Sequence, residues 1–399
     1  MPKDYLTSLP PKLFDYICQL VIDDRPQQYL GGISKAFLPS ARERTFRSVS
    51  AETEPAATKL FEALAASPGA ASHVNYLTLR LPETAFSSKA FAPTVRAAIR
   101  HLRKLGILEV SGAYELSKRL LSPTSPSTLP ELFWLKICST LKGWRSPFSP
   151  EHYRTLKHYG RLYRLDLSIQ RSKIWRIGWS PRGAEPISMP STFRQLKLGG
   201  GAVETSKADV LANAFTPSVL QLEGGRGSDA PISPRLHRLP CSVAELSLQR
   251  YSPLLEDLSA VLPNLRQVKE LSLYGSFDCS TILPLLAREL PYLAYLGLEA
   301  NESFTAQHLV DILQGPQKIL TLRFLFLAGP FARRSVHVSL EPEELIEVVE
   351  LADREDVRIA GSRFWAAVRE QGRREGYLAA KEELRREDAR RAAASAAEW

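Results

Sequence analysis

The chain has 399 residues, of which 44% are hydrophobic and 24% charged, and its formal net charge is +9. These are the values of an ordinary soluble protein that is long enough to bury one large core or several small ones. The cysteines form no Cys-x-x-Cys pair, which argues against a disulfide framework and a structural zinc site; they are Cys18, Cys138, Cys241 and Cys279. No stretch has the continuity of a signal peptide or the length of a membrane span. We therefore expect a cytoplasmic or nuclear protein with no membrane contact, metal or other cofactor.

The first 50 residues predict three short helices. Prolines at 10–11 suit the first turn of a helix, whose apolar stripe includes Leu13, Ile17 and Val21. A second stripe, ended by a proline at position 39, consists of Leu30, Ile33 and Phe37. The segment SARERTFRSV over 40–49 predicts a third helix, with Phe46 and Val49 on its core side. Three such helices cannot hide all these apolar groups, so a partner or the next domain should cover part of them.

Residues 51–73 predict one further helix, from Thr58 to Ala66, that joins the N-terminal helices to the rest of the chain. A short phrase, apolar-x-x-Leu-x-Leu, then recurs ten times at spacings of 24 to 31 residues. Its paired apolar residues are Leu77/Leu79, Leu108/Val110, Leu135/Ile137, Leu165/Leu167, Leu196/Leu198, Leu220/Leu222, Leu246/Leu248, Leu271/Leu273, Leu296/Leu298 and Leu325/Leu327.

The spacing within the phrase predicts a strand. Leu-x-Leu has a period of two, so both leucines point to one face of the strand and the residues between them to the other. Such strands are too short to bury their leucines alone, but stacked in parallel they form a continuous leucine ladder. Segments with helical spacing, such as STILPLLARELP and TAQHLVDILQG, supply the return path across the outside. A mixed α/β domain with leucine strands by chance is the alternative.

Two insertions and a helical end depart from the repeat. Residues 122–130 form a proline-rich loop, and residues 170–190 a basic loop with Trp175 and Trp179, which either bind a partner or cover the edge of the stack. A helix with an acidic start follows Glu341, and a last strand is predicted over Val357–Ile359. The segment 362–397 has high helix propensity and is expected to cap the last repeat through Phe364, Trp365 and Val368.

The sequence contains no convincing catalytic motif. The loop GGRGSDA at 224–230 is followed at once by Pro231 and Pro234, so no helix begins there to hold a phosphate. His152 and His158 lie six residues apart with no acidic or cysteine companion at ligand spacing, and the sequence has no nucleophile elbow or Walker loop. We therefore expect a chain that is not an enzyme.

Residues 74–330 resemble the leucine-rich-repeat family on the strength of this phrase. The departure is the asparagine that normally follows the last leucine by three residues, which only Asn301 matches. The resemblance implies an α/β fold with a parallel sheet inside and helices outside. We expect an irregular horseshoe of about ten repeats over 74–340, a helical cap with a charged tail over 341–399, and a linker helix over 51–73.

The N-terminal segment resembles the F-box, in the degenerate form that precedes leucine-rich repeats in many fungal proteins. The matching features are Leu9-Pro10, Leu13, Ile17 and the block ISKAFLPSARERTFRSV. The usual tryptophan near the end of the block is absent, with Phe46 near its place, and Gly31-Gly32 stand where a helix is expected. The resemblance implies an F-box-like bundle over 1–50; a plain helical cap on the first repeat is the alternative.

Together the two resemblances imply a substrate receptor of an SCF (cullin–RING) ubiquitin ligase, with the adaptor subunit and the cullin as partners. The box would dock on the adaptor through Leu9, Pro10, Leu13, Ile17, Val21, Ile33 and Phe37. A repeat scaffold with no ligase role is one alternative. A basic solenoid that binds nucleic acid is another, and we consider nucleic acid the less favoured partner.

Charge suggests where the horseshoe would hold its substrate. Residues 74–200 carry 21 Lys and Arg against 7 Asp and Glu, whereas residues 201–339 carry 12 against 13. A concave basic sheet attracts anions, so we expect the early repeats to receive an acidic or phosphorylated segment through Arg80, Lys136, Arg164 and Lys197. An apolar stretch of the same partner is expected on Tyr274, Tyr295, Phe324 and Phe326.

Overall fold

The chain is divided into two compact units. We call Met1–Pro217 unit 1 and Ser218–Trp399 unit 2. The computed structural model describes residues 45–82, 85, 92–113, 116–117, 129–139, 153–169, 187–200, 208–223, 239–249, 258–259, 261–275, 279–300, 306–315, 318–327 and 344–361. The predicted F-box surface, the two tryptophans of the basic loop and the predicted C-terminal cap beyond residue 361 lie outside these residues.

Unit 1 contains six strands that pair in parallel and in chain order. They are β1 (Ser48–Ala51), β2 (Tyr76–Arg80), β3 (Ile107–Ser111), β4 (Trp134–Ser139), β5 (Arg164–Ile169) and β6 (Gln195–Gly200). Helices among the described residues of this unit include α1 (Glu54–Ala66), α2 (Pro68–Ala71), α3 (Ala92–His101) and α4 (Ala208–Phe215), with a 3-10 segment at Arg154–His158.

Unit 2 repeats the scheme with six more parallel strands in chain order. They are β7 (Val219–Glu223), β8 (Glu245–Gln249), β9 (Glu270–Gly275), β10 (Tyr295–Ala300), β11 (Phe324–Leu327) and β12 (Arg358–Ala360). The part of this unit that the structure describes contains the helices α5 (Cys279–Glu289), α6 (Ala306–Leu313) and α7 (Glu344–Arg354), with a 3-10 turn at Leu262–Asn264.

The leucine ladder is the core of both units. All ten predicted leucine pairs lie on strands, β2 to β11, and each of these twenty side chains is at most 5% exposed. Their register is strict within each unit: Leu77 lies opposite Leu108, and Leu271 opposite Leu296. Burial of apolar surface contributes roughly 25 cal/mol per Å², so burial of the ladder stabilises both units. The prediction of a parallel, leucine-based α/β repeat fold is therefore confirmed within each unit.

A tight turn leads into nearly every strand. The apolar residue three positions before each leucine pair is buried, and its N–H donates to the carbonyl three residues earlier at 2.8 to 3.2 Å. The donors are Val74, Leu105, Leu132, Leu162, Phe193, Val243, Val268, Leu293 and Leu322. The tenth copy has Pro217 there, which has no N–H to give. This turn fixes the strand entry although the asparagine of the regular repeat is mostly missing.

The helices confirm several sequence predictions. The linker helix predicted from Thr58 to Ala66 is α1, but it begins earlier than predicted. Its start lies after Thr53, because the Thr53 hydroxyl accepts the Ala56 N–H at 3.3 Å and Pro55 suits the first turn. Phe61 and Leu64 of α1 are buried, and α1 packs against α3. The predicted outer segments STILPLLARELP and TAQHLVDILQG form α5 and α6, and the predicted acidic helix forms α7.

The third helix predicted near the N-terminus needs a correction. The third helix predicted over 40–49 is wrong at its end, because Ser48–Ala51 form β1 and Val49 lies opposite Leu77 in the parallel sheet. Only residues 45–47 are helical among the described part of that segment. The last strand, predicted at Val357–Ile359, is found at Arg358–Ala360. Strands therefore lie on both sides of the limits, 74 and 340, expected for the repeats.

Gly112 offers a test of the turn that follows β3. Its φ is +73°, and a Cβ added there would lie 1.8 Å from the carbonyl oxygen of Leu81. We expect Gly112→Ala to lower the free energy of unfolding by about 2 kcal/mol or more, because it combines backbone strain with a backbone clash. Gly160→Ala is the matched control, since its Cβ would meet nothing within 4 Å. Urea unfolding measures both, and equal stability of the two variants would contradict this account.

Candidate functional site

The face of each sheet opposite the leucine ladder carries the side chains that alternate with the leucines; we call it the leucine-free face. Parallel register places equivalent positions of neighbouring strands side by side, about 4.8 Å apart. In unit 1 the residue between the two leucines gives the row Thr78, Glu109, Lys136, Asp166 and Lys197. From Glu109 onward this row alternates in charge.

Glu109 and Lys136 form the first ion pair of this row. The Lys136 ammonium donates to Glu109 Oε1 at 2.9 Å, and the Tyr76 hydroxyl donates to Glu109 Oε2 at 3.0 Å. Burial lowers the pKa of Lys136, but the hydrogen bond to Glu109 and the negative groups nearby raise it more, so it stays above its ordinary value. Lys136 is therefore a cation with a carboxylate partner already in place.

Arg164 and Asp166 form a second ion pair within β5. Arg164 Nε lies 2.7 Å from Asp166 Oδ1 and its Nη2 lies 3.0 Å from Oδ2, a two-pronged contact. The Asp166 side chain is only 6% exposed. The guanidinium also lies 4.4 Å from the ring centre of Trp134 on the neighbouring strand. These contacts hold Arg164 in one orientation along the sheet.

The predicted basic contacts are thus not equivalent. Lys136 and Arg164 are paired with buried or nearly buried carboxylates. Lys197 is half-buried and lies in register with Asp166, whereas Arg80 is exposed at the end of β2. The face of unit 1 is therefore a ladder of compensating charges rather than a uniformly basic surface. Nothing in the pattern of single strands signals this; it requires the alignment of Glu109 and Asp166 with their neighbours.

Cys138 lies on the same face of unit 1, in the row that begins with Arg80 and Ser111. Burial, which is its main influence, raises the pKa of the Cys138 thiol to about 11. Because the thiolate is the reactive form of cysteine, this burial disfavours the reactive form of Cys138.

Near its first strand, the leucine-free face of unit 2 carries two carboxylates side by side. Glu245 of β8 lies directly opposite Glu270 of β9. Burial and, second, the charge of Glu270 raise the pKa of Glu245. Like charges opposite each other on neighbouring strands are destabilising. This pair therefore reduces stability at neutral pH and makes this end of the face acidic.

The predicted aromatic contacts come together beside this acidic pair. The rings of Tyr295 and Phe324 stack with centres 5.1 Å apart and planes 9° apart. Arg358 lies over the other side of Phe324, 6.0 Å from its centre. Phe326 follows on the same face of β11, half-exposed. Tyr274 lies on β9, but its side chain is outside the described part of the structure.

Gly297 makes room for this aromatic group. It lies between the two leucines of β10, in register with Ser272 and Phe326. A Cβ there would lie 3.0 Å from the Ser272 hydroxyl and 3.2 Å from Cε1 of Tyr295. The tyrosine ring therefore leans across the glycine, which leaves a shallow surface of stacked rings. Large flat side chains with modest flexibility are the residues that most often anchor protein interfaces.

Among the described residues, no group of three or more His, Cys, Asp or Glu side chains is arranged to hold a metal ion. Within the same part of the chain, none of the helices is long and apolar enough to cross a membrane.

The acidic pair of unit 2 makes a pH-dependent prediction. We expect Glu270→Gln to raise the free energy of unfolding by about 0.5 kcal/mol at pH 7, because it removes the like charge opposite Glu245. The raised folded-state pKa of Glu245 means that the pair weakens the fold above the ordinary glutamate pKa of about 4.3 and not below it. The gain should therefore vanish in urea unfolding below pH 4. Glu350→Gln, at an exposed site on α7, is the control that should change nothing.

No protein-family model and no curated protein sequence matches this chain. Among solved structures, 43 chains match it. One is the crystal structure of the TLR13–ssRNA13 complex, which is 15% identical, covers 65% of this chain and 36% of that chain, and has a TM-score of 0.29. The chain thus corresponds to about a third of the length of that protein, and at this TM-score the similarity carries no argument about ligand or partner. The leucine-rich-repeat character of the fold rests on the strands, register and buried leucines described above.

Proposed function

We propose that this chain is a protein-interaction scaffold that binds a partner protein on its leucine-free face. The observation that carries the proposal is the stacked pair Tyr295 and Phe324, with Phe326 beside it, on a face that the fold does not use for its own core. The leucine ladder gives this surface a rigid support, which lowers the entropic cost of binding. No step of bond-making is assigned to the chain.

The finer proposal is that the scaffold is the substrate receptor of an SCF ubiquitin ligase. Its support is the resemblance of residues 6–50 to the F-box and the position of that segment directly before the repeats. In such an assembly the chain holds a substrate protein near the ubiquitin-charged enzyme, which raises the effective concentration of substrate lysines. The partners proposed on this basis are the SCF adaptor, the cullin and one substrate protein.

The adaptor proposal has a direct test. We expect Leu13→Asp with Ile17→Asp to abolish pull-down of the purified adaptor, because buried apolar anchors carry most of an interface's energy. The matched control is Ala56→Asp with Ala63→Asp, which puts the same two charges on exposed positions of α1. Circular dichroism checks that both variants keep the repeat fold. Normal adaptor binding by the Leu13 and Ile17 variant would show that the F-box assignment is wrong.

The face used for partner binding has its own test. We expect Tyr295→Ala with Phe324→Ala to reduce capture of the partner at least about tenfold in quantitative affinity purification, as the loss of two aromatic anchors implies. Tyr292→Ala with Leu320→Ala is the control, since these two large side chains are 62% and 79% exposed but lie off this face. Undiminished capture by the Tyr295 and Phe324 variant would place the binding surface elsewhere.

We propose that an acidic or phosphorylated substrate on the leucine-free face of unit 1 would contact some of the four predicted cations more readily than others. An anion bound to Lys136 or Arg164 competes with Glu109 and Asp166, which already satisfy these cations. Arg80, exposed at the end of β2, remains the more accessible of the proposed contacts. Charge reversal at Arg80 is therefore a better probe of that proposal than reversal at Arg164, whose removal also leaves a nearly buried carboxylate without its partner.

A further inference from the structure

The edge of the unit 1 sheet where the strands begin forms a regular backbone ladder of its own. The residue just before each strand donates its N–H to the equivalent residue of the preceding repeat, at 2.8 to 2.9 Å. The ladder runs through Arg47, Asn75, Gly106, Phe133, Tyr163 and Arg194. We call this edge the rim. Side chains of the rim are therefore spaced like those of neighbouring strands, about 4.8 Å apart.

A groove of about 1310 Å³ lies along this rim. The β1 to β3 end is lined by three exposed cations, Arg47, Arg103 and Lys104. Among the described residues, none of the three is paired with a carboxylate. This contrasts with the leucine-free face of the same unit, where Lys136 and Arg164 have carboxylate partners. Among the described residues that line the groove, the unpaired positive charge therefore lies at the β1 to β3 end.

The other end of the groove is aromatic. Phe133 and Tyr163, on neighbouring repeats, are 45% and 46% exposed, and they are two of the four large hydrophobic side chains that are exposed among the described residues. Gly106 allows this arrangement, because a Cβ there would lie 2.6 Å from Cε1 of Phe133. The phenyl ring thus lies across the rim, packed on the glycine on one side and open on the other. Exposed aromatic surface in a groove is typical of a recognition site.

The aromatic end of the groove contains one ion pair, whose opposite charges cancel. Arg161 lines the groove there and is bonded to Glu131, which lines it as well. The positive charge is therefore concentrated at one end of the groove and the apolar surface at the other. From β1 to β5 the rim spans four strand spacings, roughly 19 Å, which is the length of about six extended residues.

We propose that this groove binds a short acidic peptide segment of a partner protein. Aspartate or glutamate side chains of the segment face Arg47, Arg103 and Lys104, and an adjoining aromatic or large aliphatic side chain lies on Phe133 and Tyr163. The separation of charge from apolar surface along the groove matches such a segment. Side-chain cations that meet carboxylates form charge-assisted hydrogen bonds, the stronger class.

The same separation disfavours a nucleic acid strand. Each nucleotide carries both a phosphate and a base, so single-strand binding sites place cations alongside the stacking rings. Here Glu131 stands at the aromatic end and Arg161 is already bonded to it. A strand with its bases on Phe133 and Tyr163 would bring its phosphates close to that carboxylate.

The test uses the purified full-length chain and three fluorescent probes in anisotropy titrations. One is a short peptide with a run of glutamates followed by two phenylalanines; the second has lysines in place of the glutamates; the third is a single-stranded oligouridylate of similar length. We expect the acidic peptide to bind, with an affinity that falls as salt is added, because these contacts are exposed to solvent. The lysine peptide should not bind.

Charge reversal identifies the cations. We expect Arg47→Glu, Arg103→Glu and Lys104→Glu together to weaken binding of the acidic peptide by about tenfold to hundredfold, as three exposed charge contacts imply. The control reverses three exposed cations on α1 and α3, Lys59, Arg96 and Arg100, and so has the same net charge. It should bind within about twofold of the parent chain. Arg103→Gln with Lys104→Gln is a milder variant that keeps the test valid if the triple reversal misfolds.

The aromatic end has a separate readout. Phe133→Ala with Tyr163→Ala should weaken binding of the acidic peptide that carries phenylalanines. Binding of a fourth probe, a peptide of glutamates alone, should be unaffected. Equal binding by the rim-reversed and control variants would overturn the proposal, as would tighter binding of the oligouridylate than of the acidic peptide.

The groove proposal rests on the proposed function only because it takes the partner to be a protein. The experiments can contradict the groove proposal and the proposed function independently of each other. If the chain captures its partner through Tyr295 and Phe324 but does not bind the acidic peptide, only the groove proposal is contradicted. If it binds the acidic peptide on the rim but captures no protein through those rings, only the proposed binding face of unit 2 is contradicted.

Discussion

Burial of paired leucines between neighbouring strands is the interaction on which every other feature of this molecule depends. A strand of four to six residues, such as β2 or β11, cannot bury Leu-x-Leu by itself, so it is stable only beside a neighbour in the same register. Because the side-chain period of a strand is two, that register also decides which residues share the opposite face. The ion pairs of unit 1 and the aromatic stack of unit 2 are both consequences of the leucine alignment.

The two units use this common frame differently. In unit 1 the positions between leucines are charged and mutually compensating, so Glu109 and Asp166 can be buried without a large penalty. In unit 2 the equivalent positions are uncharged, among them Ser272, Gly297 and Phe326, and the carboxylates of Glu245 and Glu270 beside this row repel each other. A face of paired charges is polar yet internally satisfied. A face of stacked rings is not, and this difference is why partner binding on the leucine-free face is proposed for unit 2.

Much of the fold could be predicted from the sequence because its signal is local and repeated. The phrase around Leu77 or Leu296 specifies a strand and its buried side, and all ten copies form strands. Strand β1 was missed because SVSA has no leucine pair and joins the sheet only through its neighbour β2. The pairing of Lys136 with Glu109 depends on alignment of two repeats 27 residues apart. The rim was missed for a similar reason, since Phe133 and Tyr163 look like ordinary strand-entry residues until the ladder places them side by side.

Alternation of charge along Glu109, Lys136, Asp166 and Lys197 gives unit 1 a second, longer period. Neighbouring repeats are alike in their leucines but opposite in sign between them, so the chemical repeat on this face is two structural repeats long. Loss of the single repeat that carries β4 would bring Glu109 beside Asp166, two buried carboxylates with no cation between them. Loss or gain of two repeats at once would preserve the alternation. The leucines allow this stack to grow or shrink by one repeat, whereas its charges allow changes only in pairs.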